Sequence, residues 1–248
     1  MIGDQARRRV DVLGIAAWSV IALALVFIFF VARESCDELC RQGIAPDASG
    51  GPLQRIFYVH VPAAWVAYLG FAIAFLSSIA FLRTGARRWD LVAHASAEIG
   101  VLFCTLVLIT GPIWARPVWG TWWEWDARLT STLVLWLIFA GYLLLRALAT
   151  DRTRIGRAAA VVAIVGFLNV PLVHFSVYWW QTLHPTGPTP ANPTTASGLG
   201  APELAAFFTS LIGFTLLFAW LLALRVRVGR LEDRVEELAT TRWVGVAA

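Results

Sequence analysis

Along this chain apolar residues gather into runs of roughly 20, the length a helix needs to cross about 30 Å of hydrocarbon. Polar residues collect in the gaps. The runs lie near Val12–Val31, Pro62–Leu82, Val92–Gly111, Leu129–Leu148, Ala158–Trp179 and Glu203–Leu224. They predict an all-α integral membrane protein with six transmembrane helices, forming a single polytopic domain over residues 1–248. The first run follows Arg7, Arg8 and Arg9 as a signal peptide would, but its apolar stretch is too long and no small-residue cleavage site follows, so it reads as a retained helix. The gaps predict outer loops near 32–61, 112–128 and 181–202, and a tail from about 225 to 248. In that tail Leu231, Val235 and Leu238 stand at i, i+4 and i+7, which predicts an extension of the sixth helix that reads as a surface helix, with a docking site for a cytoplasmic partner as the alternative.

Composition agrees with this pattern: 58% of the 248 residues are hydrophobic and 15% charged, and the mean hydropathy is +0.69. Every basic residue is Arg. Arg7–Arg9, Arg83/Arg87/Arg88, Arg146/Arg152/Arg154/Arg157 and Arg225/Arg227/Arg230 fall on one side of a six-span arrangement. The opposite side has only Arg33, Arg41, Arg55, Arg116 and Arg128, diluted by Glu34, Asp37 and Glu38. Because positive charge near span ends stays inside, both termini are expected in the cytoplasm of a multi-pass inner (plasma) membrane protein. The formal charge of +4 then reflects anchoring to lipid headgroups and calls for no nucleic acid. Cys104 reads as a small buried apolar residue. Cys36 and Cys40 share an outer loop at a spacing that fits neither a redox C-x-x-C nor a zinc site, which leaves a local disulfide as the simpler reading.

The predicted loop between the third and fourth helices contains "WGTWWEWDARLTS", with Trp119, Trp122, Trp123, Trp125 and Asp126 in eight positions. Read as a helix, the segment places Trp119, Trp122, Trp123 and Asp126 on one stripe, with Trp125 and Glu124 pointing elsewhere. An aromatic belt at the lipid interface explains some tryptophans at this depth, as it does for Trp18 and Trp220. It gives no role to a carboxylate among the rings. A stacking platform for a flat aromatic ligand uses both, since rings supply apolar area and a few polar groups fix orientation.

Four histidines sort by depth. His94 and Glu98, at i, i+4 near the cytoplasmic end of the third span, read as a buried polar pair. His174, mid-span, reads as a packed core residue. His60 in "RIFYVHVPAAW" and His184 in "WWQTLHP" sit at outer span ends, on the same side as the tryptophans. Two imidazoles flanking a platform are what an iron porphyrin takes as axial ligands. Arg55, Arg116 and Arg128 are the nearest outer cations, and two uses stand open for them: pairing with porphyrin propionates, or with headgroups and Asp126.

These residues carry a resemblance. "RIFYVHVPAAW", "ITGPIWARPVWGTWWEWDARLTSTLVLW" and "VGFLNVPLVHFSVYWWQTLHP" resemble, in order and spacing, the tryptophan-rich haem-handling protein family. The likeness covers helices two to five and omits the termini and the Cys36–Cys40 loop. It implies that haem lies at the outer face against Trp119, Gly120, Trp122, Trp123, Trp125 and Asp126, with His60 and His184 on its iron. It implies delivery to a periplasmic haem chaperone in cytochrome c biogenesis, with an ABC-type ATPase, its membrane subunit and a small single-span subunit as partners. Without a C-x-x-C-H the haem is expected to be b-type and non-covalent, and no catalytic residue is assigned. Two alternatives are a cytochrome c haem lyase, whose larger relatives carry a second histidine pair, and a haem permease, which calls for a polar path across the bilayer. Here only His94, Glu98, Asn169 and His174 interrupt the apolar spans.

Overall fold

The computed structural model describes residues 2–32, 55–148, 152–180 and 200–246. Most of those residues are helical, with no strand among them. A segment that must satisfy its backbone within lipid has few other choices. Helix α1 covers Ile2–Val26 and continues as a π-helical turn, Phe27–Val31. The rest are α2 (Phe57–Thr84), α3 (Arg87–Trp119), α4 (Ala127–Ala147), α5 (Arg152–Phe167), α6 (Asn169–Trp179) and α7 (Ala201–Val246). Counting α5 and α6 as one, six stretches are long and apolar enough to span a membrane.

The helices outrun the apolar runs. α3 continues past Gly111 through Pro112 and Pro117 to Trp119. Each proline removes one N–H from the helix, a loss that membrane helices tolerate when neighbouring groups take over the freed carbonyls. α2 begins at Phe57, which places His60 inside its first turn instead of in a loop. The fifth span, expected as one helix, is broken at Leu168, where Leu168 N–H bonds the Val165 carbonyl in a tighter turn. Pro171 provides no N–H just beyond. Asn169 Nδ2 fastens the break by donating to the Ser131 carbonyl of α4 at 2.7 Å. Below the break α5 packs on both α2 and α4; above it α6 packs chiefly on α4.

The tightest pairing joins α2 and α3. A Cβ at Gly70 would stand 2.9 Å from the Ser96 carbonyl and 3.0 Å from Gly100 Cα, so only glycine allows this approach of two backbones. Beside the crossing, Phe71 stacks on Phe139 at 4.0 Å, and Phe75 on Phe167 at 4.6 Å. The opposite ends of the bundle differ in character. One is closed by charge: Arg146 forks onto Asp90 at 2.6 and 2.9 Å, and Arg87 bonds Asp90 as well as Asp233. Arg225 forks onto Glu98 at 2.6 and 3.1 Å, with His94 Nε2 at 3.4 Å from the same carboxylate. The expected His94–Glu98 pair is therefore part of a larger network that ties α3, α4 and α7. The other end is aromatic.

Candidate site at the aromatic end

The α2–α3 crossing sets the site. The two helices run antiparallel, so ten residues back from Gly70 and ten forward from Gly100 reach the same level, about 15 Å up at 1.5 Å per residue. Those positions are His60 and Thr110. His60 Nδ1 lies 2.8 Å from Thr110 Oγ1. Thr110 already donates its hydroxyl proton to the Leu106 carbonyl at 2.8 Å, so toward the imidazole it acts as acceptor. With the proton on Nδ1, a tautomer this contact accommodates, His60 carries its lone pair on Nε2, the form that ligates a metal.

Trp114, one turn beyond Thr110, lies edge-on to the His60 ring at 5.8 Å. Phe57 completes the wall, 6.1 Å from Trp114 and stacked on Phe207 at 5.4 Å. A Cβ on Gly111 would come within 3.4 Å of His60 Cε1, so this position leaves the ring its room. Sequence reasoning overlooked Thr110 and Trp114. Their i, i+4 spacing in "TGPIW" was available, but Trp114 fell within the expected loop 112–128, which hid the common helix face.

The tryptophan segment departs from expectation. It is not helical: α3 ends at Trp119, Gly120 takes a left-handed φ of 78°, and the chain runs without helix to Asp126. The stripe of Trp119, Trp122, Trp123 and Asp126 therefore does not exist. Glycine permits the reversal because it lacks the Cβ that penalises positive φ, and Arg116 braces it by donating to the Gly120 carbonyl at 2.6 Å. Asp126 is the N-cap of α4, accepting from Leu129 N–H at 2.7 Å. Trp122 and Trp125 are 58% and 75% exposed, which puts two large rings outside the fold. Trp119 and Trp123 are partly buried, and Trp123 meets Trp125 edge-on at 5.7 Å. Thr121 Oγ1 donates to the Trp123 carbonyl.

The three outer arginines are distributed among three tasks. Arg116 holds the turn, Arg128 at the start of α4 neighbours Tyr68 of α2, and Arg55 lies 5.5 Å over the ring of Phe29. Tyr68 sits two turns of α2 below His60 and was not anticipated. His174 corrects the sequence reading: it is exposed, not packed, because α6 buries Val173, Ser176 and Val177 and turns the imidazole away, edge-on to Phe175 at 5.1 Å. His184, Cys36 and Cys40 lie outside the described residues. Among the described residues no group of His, Cys, Asp and Glu is arranged to hold a metal ion, which leaves His60 as a single imidazole against aromatic walls.

Comparison with known proteins identifies the family. The family model described as CcmC, Heme exporter protein C, matches residues 6–241. The Heme exporter protein C of Bradyrhizobium diazoefficiens is 39% identical over 201 residues, 81% of this chain and 76% of that protein. Its namesake in Escherichia coli K12 is 40% identical over 189 residues, covering 75% and 74%. That of Haemophilus influenzae is 34% identical over 202 residues, covering 82% and 80%. With nearly the whole chain inside one family model, the protein belongs to the Heme exporter protein C family and is a multi-pass protein of the inner membrane.

Proposed function

We propose that this protein binds b-type haem non-covalently at the aromatic end, on the periplasmic side of the membrane, and delivers it to a periplasmic haem chaperone in cytochrome c biogenesis. Family membership supports the general role in haem handling. The observation that carries the site is the orientation of His60. Thr110, itself anchored to Leu106, leaves the imidazole with a metal-binding Nε2 on a rigid helix end. In this reading His184, just beyond α6, supplies the second axial imidazole. Trp119, Gly120, Trp122, Trp123, Trp125 and Asp126 form the surrounding loop, and Arg55 and Arg128 face the propionates. The charged end and both termini are cytoplasmic, in keeping with the arginine distribution.

The residues fit such a cargo. A porphyrin needs flat apolar contact, one or two neutral imidazoles and cations for its carboxylates, and the aromatic end combines all three types. When bound, the iron provides the bond that holds the cargo; the chain's own residues orient it, exclude water and hold His60 Nδ1–H in a hydrogen bond to Thr110 Oγ1. Delivery rather than catalysis is the role proposed. An ABC-type ATPase with its membrane subunit, and a small single-span subunit, are its proposed partners in the membrane.

Absorption spectroscopy of the purified protein tests this. A six-coordinate low-spin b-type spectrum is expected, weakened by His60→Ala and by His184→Ala and unaffected by His174→Ala, whose imidazole points away from the bundle. A folded preparation from haem-replete cells that is colourless, or equal haem loss from all three variants, refutes the assignment.

A further inference from the structure

Trp114 has a feature that its packing does not explain. Its ring is wedged between Phe57 and His60, yet its indole Nε1 is buried with no hydrogen-bond partner among the described residues. A buried N–H without an acceptor is costly, and native proteins rarely keep one that nothing ever satisfies. An apolar wall beside His60 would be served as well by phenylalanine, which has no donor to strand. The nitrogen therefore points to an acceptor that arrives with the ligand.

The chemistry of that acceptor is restricted. Against His60 the expected cargo is a porphyrin, whose ring nitrogens are engaged by iron and whose periphery is hydrocarbon apart from two carboxylates. A neutral donor in a dry aromatic wall makes a strong bond to a carboxylate, because a charged acceptor shortens and strengthens the contact. Of the outer arginines, Arg116 is already engaged, donating to the Gly120 carbonyl.

Resting on the haem reading above, we propose that Trp114 is a positioning and recognition residue of this site. Its ring fixes the plane of the His60 imidazole, and its Nε1–H donates to one propionate of the bound porphyrin. This fixes the rotation of the porphyrin about the His60–iron axis, which imidazole ligation alone leaves free, and so sets which edge of the macrocycle faces the exposed Trp122 and Trp125. Macrocycles without carboxylates would bind without that preference.

The test is a titration of the full-length protein, purified in detergent and stripped of haem, with two ligands: ferric haem, and iron octaethylporphyrin, which keeps ring and metal and has no carboxylate. Trp114→Phe should weaken haem binding about tenfold, the loss expected for a hydrogen bond to a charged group. It should leave octaethylporphyrin binding and its low-spin spectrum unchanged. Equal weakening of both ligands, or no weakening of haem, overturns the proposal. If W114F no longer binds octaethylporphyrin, W114Y decides: a ring with its own hydroxyl donor should restore the preference for haem, and equal affinity for both ligands in that variant overturns the proposal. His60→Ala is run beside them. If it leaves both affinities intact, the haem assignment to His60 fails, an outcome separate from any result with Trp114.

Discussion

At the scale of single residues, Thr110 decides whether His60 can act as a ligand. Its Oγ1 lies 2.8 Å from His60 Nδ1 while its own proton is given to the Leu106 carbonyl, an arrangement that favours the Nδ1–H tautomer before any ligand arrives. Thr110→Val keeps the shape and removes the acceptor. Either Nδ1–H is left unsatisfied or the proton moves to Nε2 and blocks the iron-facing nitrogen. Loss of such an outer hydrogen bond to a ligating histidine typically costs 10–100-fold in affinity, and about tenfold is expected here. Haem titration followed by the low-spin fraction measures it; an unchanged affinity in T110V would mean that the Thr110 contact does not govern ligation.

At the scale of elements, the segment between α3 and α4 shows what a sequence reveals and what it conceals. The continuous apolar runs marked the six spans, because that signal is carried by residue type. The conformation of 120–126 was not legible that way. A left-handed Gly120 and an Asp126 N-cap are local backbone solutions, and the i, i+3, i+4, i+7 spacing of the tryptophans imitated a helix that the chain does not form. Likewise His174 looked like core, because apolar runs do not tell which face of a span meets a neighbour. The Gly70–Gly100 approach, which levels His60 with Thr110, pairs residues thirty apart in the chain and leaves no local trace. The cap predicts a contrast. Asp126→Ala removes the bond to Leu129 N–H and should destabilise the start of α4 by about 1 kcal/mol. Glu124→Ala, at an exposed loop position, should change stability by less than about 0.5 kcal/mol. Thermal unfolding in detergent with haem retention read in parallel compares them; equal effects would show that the cap does not hold the loop.

For the molecule as a whole, the two ends divide the work. The charged end fixes how the helices stand. Asp90 is 2% exposed and takes two arginines, Arg87 and Arg146, from different helices. Asp90→Ala leaves the Arg146 guanidinium, whose side chain is only 11% exposed, without its carboxylate, and removing one partner of such a buried pair typically costs about 3–5 kcal/mol. The yield of folded, monodisperse protein should fall sharply, while the fraction that folds should still ligate haem through His60, since that site is at the opposite end. Normal yield in D90A would mean that Arg146 finds another partner and the network is dispensable.

The aromatic end, by contrast, exposes surface that the fold does not use. Trp122 and Trp125 are more than half exposed on a loop pinned by Arg116 and Asp126, and rigid, amphipathic rings of this kind are typical anchors of a protein interface. On the proposed reading an acceptor must reach the edge of a haem held beside His60, and the loop would border that edge. Haem and loop then form one composite surface, so bound haem should raise the affinity for the chaperone. Linkage requires the chaperone to raise haem affinity by the same factor. Trp122→Ala combined with Trp125→Ala should lower chaperone capture and abolish its dependence on haem, with the six spans still inserted and His60 ligation intact. Capture of a tagged chaperone from haem-depleted and haem-replete membranes measures the coupling directly. If capture is as strong without haem as with it, the chaperone docks on the protein alone, and the composite surface is excluded.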